Sequence, residues 1–255
     1  MFKEFKLPRG GQLATIEILS AKDIDLVIAL QDATRAALPE GHKMFVLPQP
    51  VSYFHNLLEQ HNGAMIGIRS GGKLIAQMAV MGAMTVEDMI DQQKLTRNEI
   101  ALHHAHPTDF AVIAKSMAVH PDYRGNELSQ HLLETALSLP LARRADHMFA
   151  QISTDNLHSW DIFLRQGFGI VAAAIDPNDN KPRFVVQKPT LGFAMHHMQT
   201  TGGIDAVNDF PAIMRMTQRE ALIGQFDATG AAKLAFFASA EMAAAWHDEA
   251  ASEAV

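Results

Sequence analysis

The chain has 255 residues, 21 Lys and Arg against 28 Asp and Glu, a net charge of −7 and no Cys. Its length suits one large domain or a domain with an appendage, and 16 Gly with 11 Pro exclude collagen-like and low-complexity classes. Without Cys there is no disulfide framework, thiolate nucleophile or Cys-bound zinc or iron–sulfur cluster, and the negative balance argues against nucleic-acid or anionic-membrane partners, which need clustered Lys and Arg.

Residues 1–20 lack the apolar run of a signal peptide, and no stretch of about 18 uncharged apolar residues occurs, so a cytoplasmic chain without a membrane span is expected. Residues 13–19 alternate as a strand, and Ser20 with Asp23 three positions on forms a helix-start box. The next helix carries Ile24, Val27 and Ile28 at helical spacing and stops before Pro39. Pro50 opens a second helix through Tyr53, Phe54, Leu57 and Leu58, with Gly63 placed as its C-terminal cap. Residues 64–69 and 73–80 read as a hairpin around Ser70, Gly71 and Gly72. One or two short helices, the first begun by Thr85 and Asp88, are expected over 85–107.

Residues 110–119 have the apolar density of a buried central strand. Leu128, Leu132, Leu133, Ala136 and Leu137 then mark a one-sided helix that Pro140 breaks. Residues 148–153 form the next strand, and Asn156 caps a helix with core face Leu157, Trp160 and Leu164, closed by Gly167. Two strands, 170–175 and 183–186, flank a polar turn at 176–181. This order predicts a βαβ core with an antiparallel addition. Beyond Pro189 the chain is rich in Ala, Met and Phe, with helical signals over 210–223 and 231–246.

Three motifs fail on context. Gly67 to Lys73 has P-loop spacing, but Leu74 replaces the magnesium-binding hydroxyl and a strand stands where a helix is required. Gly167, Gly169 and Ala172 have dinucleotide-fingerprint spacing in the reverse structural order. His103, His104 and His106 lie in one polar segment without a carboxylate at ligand spacing, so no metal is expected.

One motif has the right context. Val119-His120-Pro121-Asp122-Tyr123-Arg124-Gly125-Asn126-Glu127-Leu128-Ser129 joins a buried strand to an amphipathic helix. Such a turn exposes backbone N–H groups and the positive end of a helix dipole, an anion site suited to a pyrophosphate, and Arg124 adds a fixed charge.

Together with Asn156, Ser159, Phe163, Gly167 and Phe168 further on, this stretch resembles the GNAT superfamily of acyl-CoA-dependent N-acyltransferases. Val119, Pro121, Arg124, Gly125, Asn156, Ser159, Gly167 and Phe168 stand where that pattern wants them, and the resemblance covers roughly residues 10–190. It implies an α/β (α+β type) fold: a mixed central sheet of about six to seven strands flanked by helices. The acyltransferase domain would span 1–190, and a mainly helical extension 191–255. It also implies acetyl-CoA as co-substrate, no metal, and an amine acceptor on a small molecule or peptide. Backbone groups of Met117, Ala118 and Val119 would pair with the pantetheine, N–H groups of Arg124, Gly125, Asn126, Glu127, Leu128 and Ser129 would cradle the pyrophosphate, and Asn156, Ser159 and Phe163 would line the opposite wall. A homodimer through the extension is compatible with this arrangement.

Two departures from the family pattern bear on chemistry. Glu127 and Ser129 occupy the positions of the loop's two small residues, and a carboxylate beside a pyrophosphate is unfavourable. Phe163 stands at the family's general-acid Tyr, so restoring Tyr there is expected to raise turnover. Asp109 and His120, with His104 and His106 behind them, are the candidate bases. The rival expectation is a non-catalytic acyl-CoA-binding or regulatory module on the same fold.

Overall fold

The computed structural model describes residues 3–92, 107–176, 181–189, 222–226 and 232–236. In chain order the elements are β1 (Lys3–Lys6), β2 (Leu13–Leu19), α1 (Ile24–Ala36), α2 (Val51–Glu59), β3 (Ala64–Ser70), β4 (Lys73–Thr85), α3 (Val86–Gln92), β5 (Phe110–Val119), α4 (Leu128–Ser138), α5 (Pro140–Arg144), β6 (His147–Ser153), α6 (Leu157–Arg165), β7 (Gly169–Asp176), β8 (Lys181–Pro189), β9 (Leu222–Phe226) and β10 (Ala232–Phe236). The fold is the expected mixed sheet flanked by helices, with β1 as an edge strand the sequence reading lacked. The chain divides into two compact units, Met1–Met84 with Phe110–Met148 and Thr85–Asp109 with Phe149–Val255.

In the first unit the strand order is β1-β2-β3-β4-β5, and β1 through β4 pair antiparallel. The His120 N–H donates to the Ile75 carbonyl at 2.8 Å, which sets the end of β5 beside the start of β4, so this pair is antiparallel too. At the other end of β5 the Asp146 N–H donates to the Phe110 carbonyl at 2.7 Å, and the Phe110 N–H to Asp146 Oδ2 at 2.8 Å. These two bonds tie the turn that follows α5 to the start of β5.

Local chemistry explains where these elements begin and end. The Ser20 N–H donates to Asp23 Oδ2 at 2.9 Å, completing the box that starts the helical segment. The second helix does not end as expected: Asn62 takes the left-handed conformation at φ +45, whereas Gly63 is needed for close approach. A Cβ there would lie 2.7 Å from the Val80 carbonyl oxygen. Gly71 and Gly72, at φ +56 and +81, form the two-residue turn of the β3–β4 hairpin, the geometry that excludes a P-loop. Pro140 ends α4 by opening α5, because proline fits the first turn of a helix and not its interior.

In the second unit Thr85 Oγ1 accepts the Asp88 N–H at 3.0 Å and so caps α3. Strands β6, β8 and β7 are neighbours in that order, and β7 pairs antiparallel with β8. Asn156 caps α6 as expected, with Oδ1 accepting the Ser159 N–H at 3.2 Å, and Gly167 closes the helix at φ +82. Trp160 and Leu164 are buried on the core face as expected, and one member of that face is exchanged. Leu157 is 44% exposed, whereas Phe163 is 3% exposed, packing edge-on against Phe168 with centroids 5.0 Å apart.

The helical reading of the tail is corrected where the tail is described. Residues 222–226 and 232–236 are the antiparallel strands β9 and β10, paired from Phe226 with Ala232 to Leu222 with Phe236. Alanine favours a helix intrinsically, but alternation of Leu222, Gly224 and Phe226 suits a strand, and cross-strand pairing overrides propensity. The remaining helical signals of the tail, the second helix expected before 107, and His103, His104 and His106 lie outside the described residues. Among the described residues no helix is long and apolar enough to cross a membrane.

Candidate phosphate-binding loop

The site is built from β5 outward. Its burial is complete from Ala111 to Ala114, relaxes at Lys115, Ser116 and Met117, and returns at Ala118, so the strand is a core element interrupted by one half-buried stretch. Its last carbonyl, on Val119, accepts from Thr34 Oγ1 of α1 at 3.3 Å. After Val119 the chain makes a short turn over Pro121–Tyr123, and Arg124 leaves it in an extended conformation.

Two left-handed residues of the loop shape the head of α4. Gly125 has φ +76 and Glu127 φ +58, and Glu127 is the N-cap of α4. A left-handed residue directly before right-handed helical ones turns successive N–H groups to the same side, the geometry of an anion nest. The first N–H groups of α4 have no intrahelical acceptor and carry the positive end of its dipole. Glu127 thus adopts the backbone conformation for which glycine is suited, and its side chain lies in solvent. Ser129 is half-buried in the first turn of α4.

The side chain of Asn126 is 3% exposed and serves the loop: Nδ2 donates to the Tyr123 carbonyl at 3.0 Å, while Oδ1 accepts the Arg9 N–H at 2.7 Å. Only its main chain is left for a ligand. The same contact brings in a residue that sequence reading missed. The Arg9 guanidinium lies against Gly125, where a Cβ would fall 2.4 Å from Arg9 Cζ. Arg9 and Arg124 are both exposed, and both border the loop. No local signal marks Arg9, since it lies 117 positions away from its partner.

His120, a candidate base, is engaged. Its Nε2 lies 2.8 Å from Lys73 Nζ, and its ring meets Tyr123 edge-on at 5.7 Å. Nδ1 accepts the Asp122 N–H at 3.3 Å, with Asp122 Oδ2 3.7 Å away, so both ring nitrogens have polar partners. The lone pair a base would use is taken. Asp109, the other candidate, precedes the first residue of β5, and its carbonyl accepts the Val86 N–H at 2.8 Å.

In the second unit Asn156 Oδ1 is committed to the helix cap, and Ser159 is half-buried. Phe163, expected on a cofactor wall, is in a core: without a hydroxyl nothing offsets its exposure to solvent. Among the described residues no group of His, Asp and Glu could hold a metal ion.

A family model described as the acetyltransferase (GNAT) family matches residues 29–168, more than half of the chain. Among curated proteins none matches. Similar solved structures include an acetyltransferase of the GNAT family from Streptococcus agalactiae 2603, at 17% identity and a TM-score of 0.51 over 74% of this chain and 99% of that one. An N-acetyltransferase from Staphylococcus aureus Mu50 is similar at 12% identity and a TM-score of 0.50, covering 69% of this chain and 98% of that one. A probable acetyltransferase from Staphylococcus epidermidis ATCC 12228 has the same identity and TM-score, with 69% and 99% covered. At such identities the likeness speaks to fold alone.

Proposed function

The chain belongs to the acetyltransferase (GNAT) family, and from that premise we propose that it moves an acetyl group from acetyl-CoA to a primary amine, by direct attack within a ternary complex. The observation that carries this reading is the loop after β5. It keeps a left-handed residue at Glu127 where the family pattern has glycine, and it leaves the N–H groups at the head of α4 directed at one place. On this reading the N–H groups from Arg124 to Ser129 hold the pyrophosphate, with Arg124 and Arg9 supplying charge. The backbone of Met117, Ala118 and Val119 pairs with the pantetheine, next to the half-buried stretch Lys115–Met117 of β5. Residues 1–190 act as the acyltransferase and 191–255 as an extension of it.

The chemistry then needs little from side chains. An alkylammonium near pKa 10 must lose its proton before it attacks, which adds about 4 kcal/mol at pH 7 unless a base or desolvation helps. Fixing amine and thioester at reacting distance supplies the largest gain, and a backbone N–H near the end of β5 meets the developing oxyanion. Both His120 ring nitrogens have polar partners, and Asp109 precedes Phe110, at the far end of the ten-residue strand from Val119 and about 30 Å away by strand rise. Desolvation of the amine, not either candidate base, therefore carries its deprotonation.

Calorimetric titration with acetyl-CoA, followed by thiol release across an amine panel, tests the proposal. Saturable binding with amine-dependent thiol release is expected. Binding without thiol release for any amine would favour the non-catalytic module.

A further inference from the structure

The first unit holds a polar cluster that the phosphate loop does not use, where β5 loses its cover. Ser116 lies in that opened stretch with φ +52, a conformation unfavourable for any residue but glycine. Two side chains converge on it. Gln77 of β4, 0% exposed, donates through Nε2 to the Ser116 carbonyl, while its Oε1 has no hydrogen-bond partner. Tyr53 of α2 hydrogen-bonds with the Ser116 side chain, and burial pushes the phenol above its ordinary value of 10. A strained residue and an orphaned buried acceptor each destabilise a fold, and together beside the half-buried stretch Lys115–Met117 of a core strand they mark a place held in shape for a ligand.

This inference rests on the acetyl-transfer reading. We propose that Tyr53 is the proton donor of that reaction, set beside Ser116 where the thioester runs along Met117 to Val119, and that it gives its hydroxyl proton to the departing CoA sulfur. The chain has two tyrosines. Tyr123 is committed at the phosphate end, edge-on to His120 with Lys73 Nζ 5.8 Å from its ring centroid. Phe163 has no hydroxyl and is in a core. Tyr53 is the phenol placed at the middle of β5.

In the step itself, the amine nitrogen bonds to the carbonyl carbon, the carbon–sulfur bond breaks with its electron pair going to sulfur, and the Tyr53 proton passes to that sulfur. The phenolate takes back a proton from the ammonium of the tetrahedral species, so amine and thioester become amide and thiol with no net change in the protein. Because a thiol near 8.5 is more acidic than a phenol, the two transfers run in concert. Ser116 is a positioning residue that fixes the hydroxyl, and Gln77 positions Ser116 by holding its carbonyl.

The full chain is assayed with acetyl-CoA, by calorimetry for affinity and by thiol release with the most reactive amine of a panel. Tyr53→Phe, nearly isosteric, is expected to keep acetyl-CoA affinity within about threefold and lower kcat about 100-fold, with KM unchanged. Ser116→Gly retains the left-handed backbone and loses the anchor, and is expected to lower kcat about tenfold at the same affinity. If Tyr53→Phe turns over within threefold of the parent, the assignment is wrong. An equal loss in acetyl-CoA affinity also overturns it, making the phenol a binding group. A parent that ignores acetyl-CoA removes the acetyl-transfer reading itself; a parent that binds and reacts while Tyr53→Phe does the same removes only this inference.

Discussion

Glu127 allows the phosphate loop to be tested by charge alone. Its side chain is in solvent and its backbone, at φ +58, holds the left-handed position that heads α4, so Glu127→Gln removes one negative charge and leaves the loop shape as it is. At ~7 Å in water two unit charges interact by ~0.6 kcal/mol, and a pyrophosphate carries roughly two. Screening at about 50 mM salt leaves ~0.7 kcal/mol of that repulsion, and at about 0.5 M less than half as much. Titrations with acetyl-CoA should therefore show Glu127→Gln binding about threefold tighter at low salt, the gain nearly disappearing at high salt. Glu127→Gly releases ~1–2 kcal/mol of left-handed strain. A more flexible unfolded chain offsets ~0.5–1 kcal/mol of this, and loss of a carboxylate at the helix N-terminus ~0.3–1 kcal/mol more. Its stability is expected to match the parent within about 1 kcal/mol, with the same tighter binding. A Glu127→Gln variant that binds no better at low salt refutes the placement of phosphates at the head of α4.

Phe163→Tyr would bring a hydroxyl into a core where Phe163 is 3% exposed. It is expected to lose ~1–3 kcal/mol in a denaturant titration without gaining turnover, and a variant as stable as the parent would contradict that packing. Asp23 is held below its ordinary value of 3.8 chiefly by the Ser20 N–H, with Arg69 bonded to its Oδ1 at 2.7 Å. The stability it contributes is present above 3.8 and is lost as pH falls through its lowered value, so Asp23→Asn should cost ~1 kcal/mol at pH 7, with the gap closing toward about pH 2. Denaturant midpoints across that range check the sign, and a gap that stays constant with pH would contradict it.

Local chemistry made much of this fold legible in the sequence. The apolar run of β5, the Ser20–Asp23 box, the Gly71–Gly72 turn and the Asn156 cap each depend on residues within a few positions of one another. What was missed depends on distant neighbours. β1 is a four-residue edge strand, two of them lysines, with no buried face to betray it. Gly63 is required by the Val80 carbonyl and not by its own φ. The helix face of α6 turns toward Phe163 and away from Leu157 because of what packs upon it. The candidate site divides in the same way: the residues of the loop could be named from spacing, whereas Arg9, Tyr53 and Gln77 reach Gly125 and Ser116 only through the pairing of strands and the packing of α2.

Titration of acetyl-CoA into the parent chain and into Arg124→Ala, at matched low salt, tests the phosphate loop most directly. The account predicts saturable binding to the parent and an affinity about tenfold weaker in the variant, as expected for one charge-assisted phosphate contact. A parent that gives no binding, or a variant whose affinity is unchanged, would contradict it.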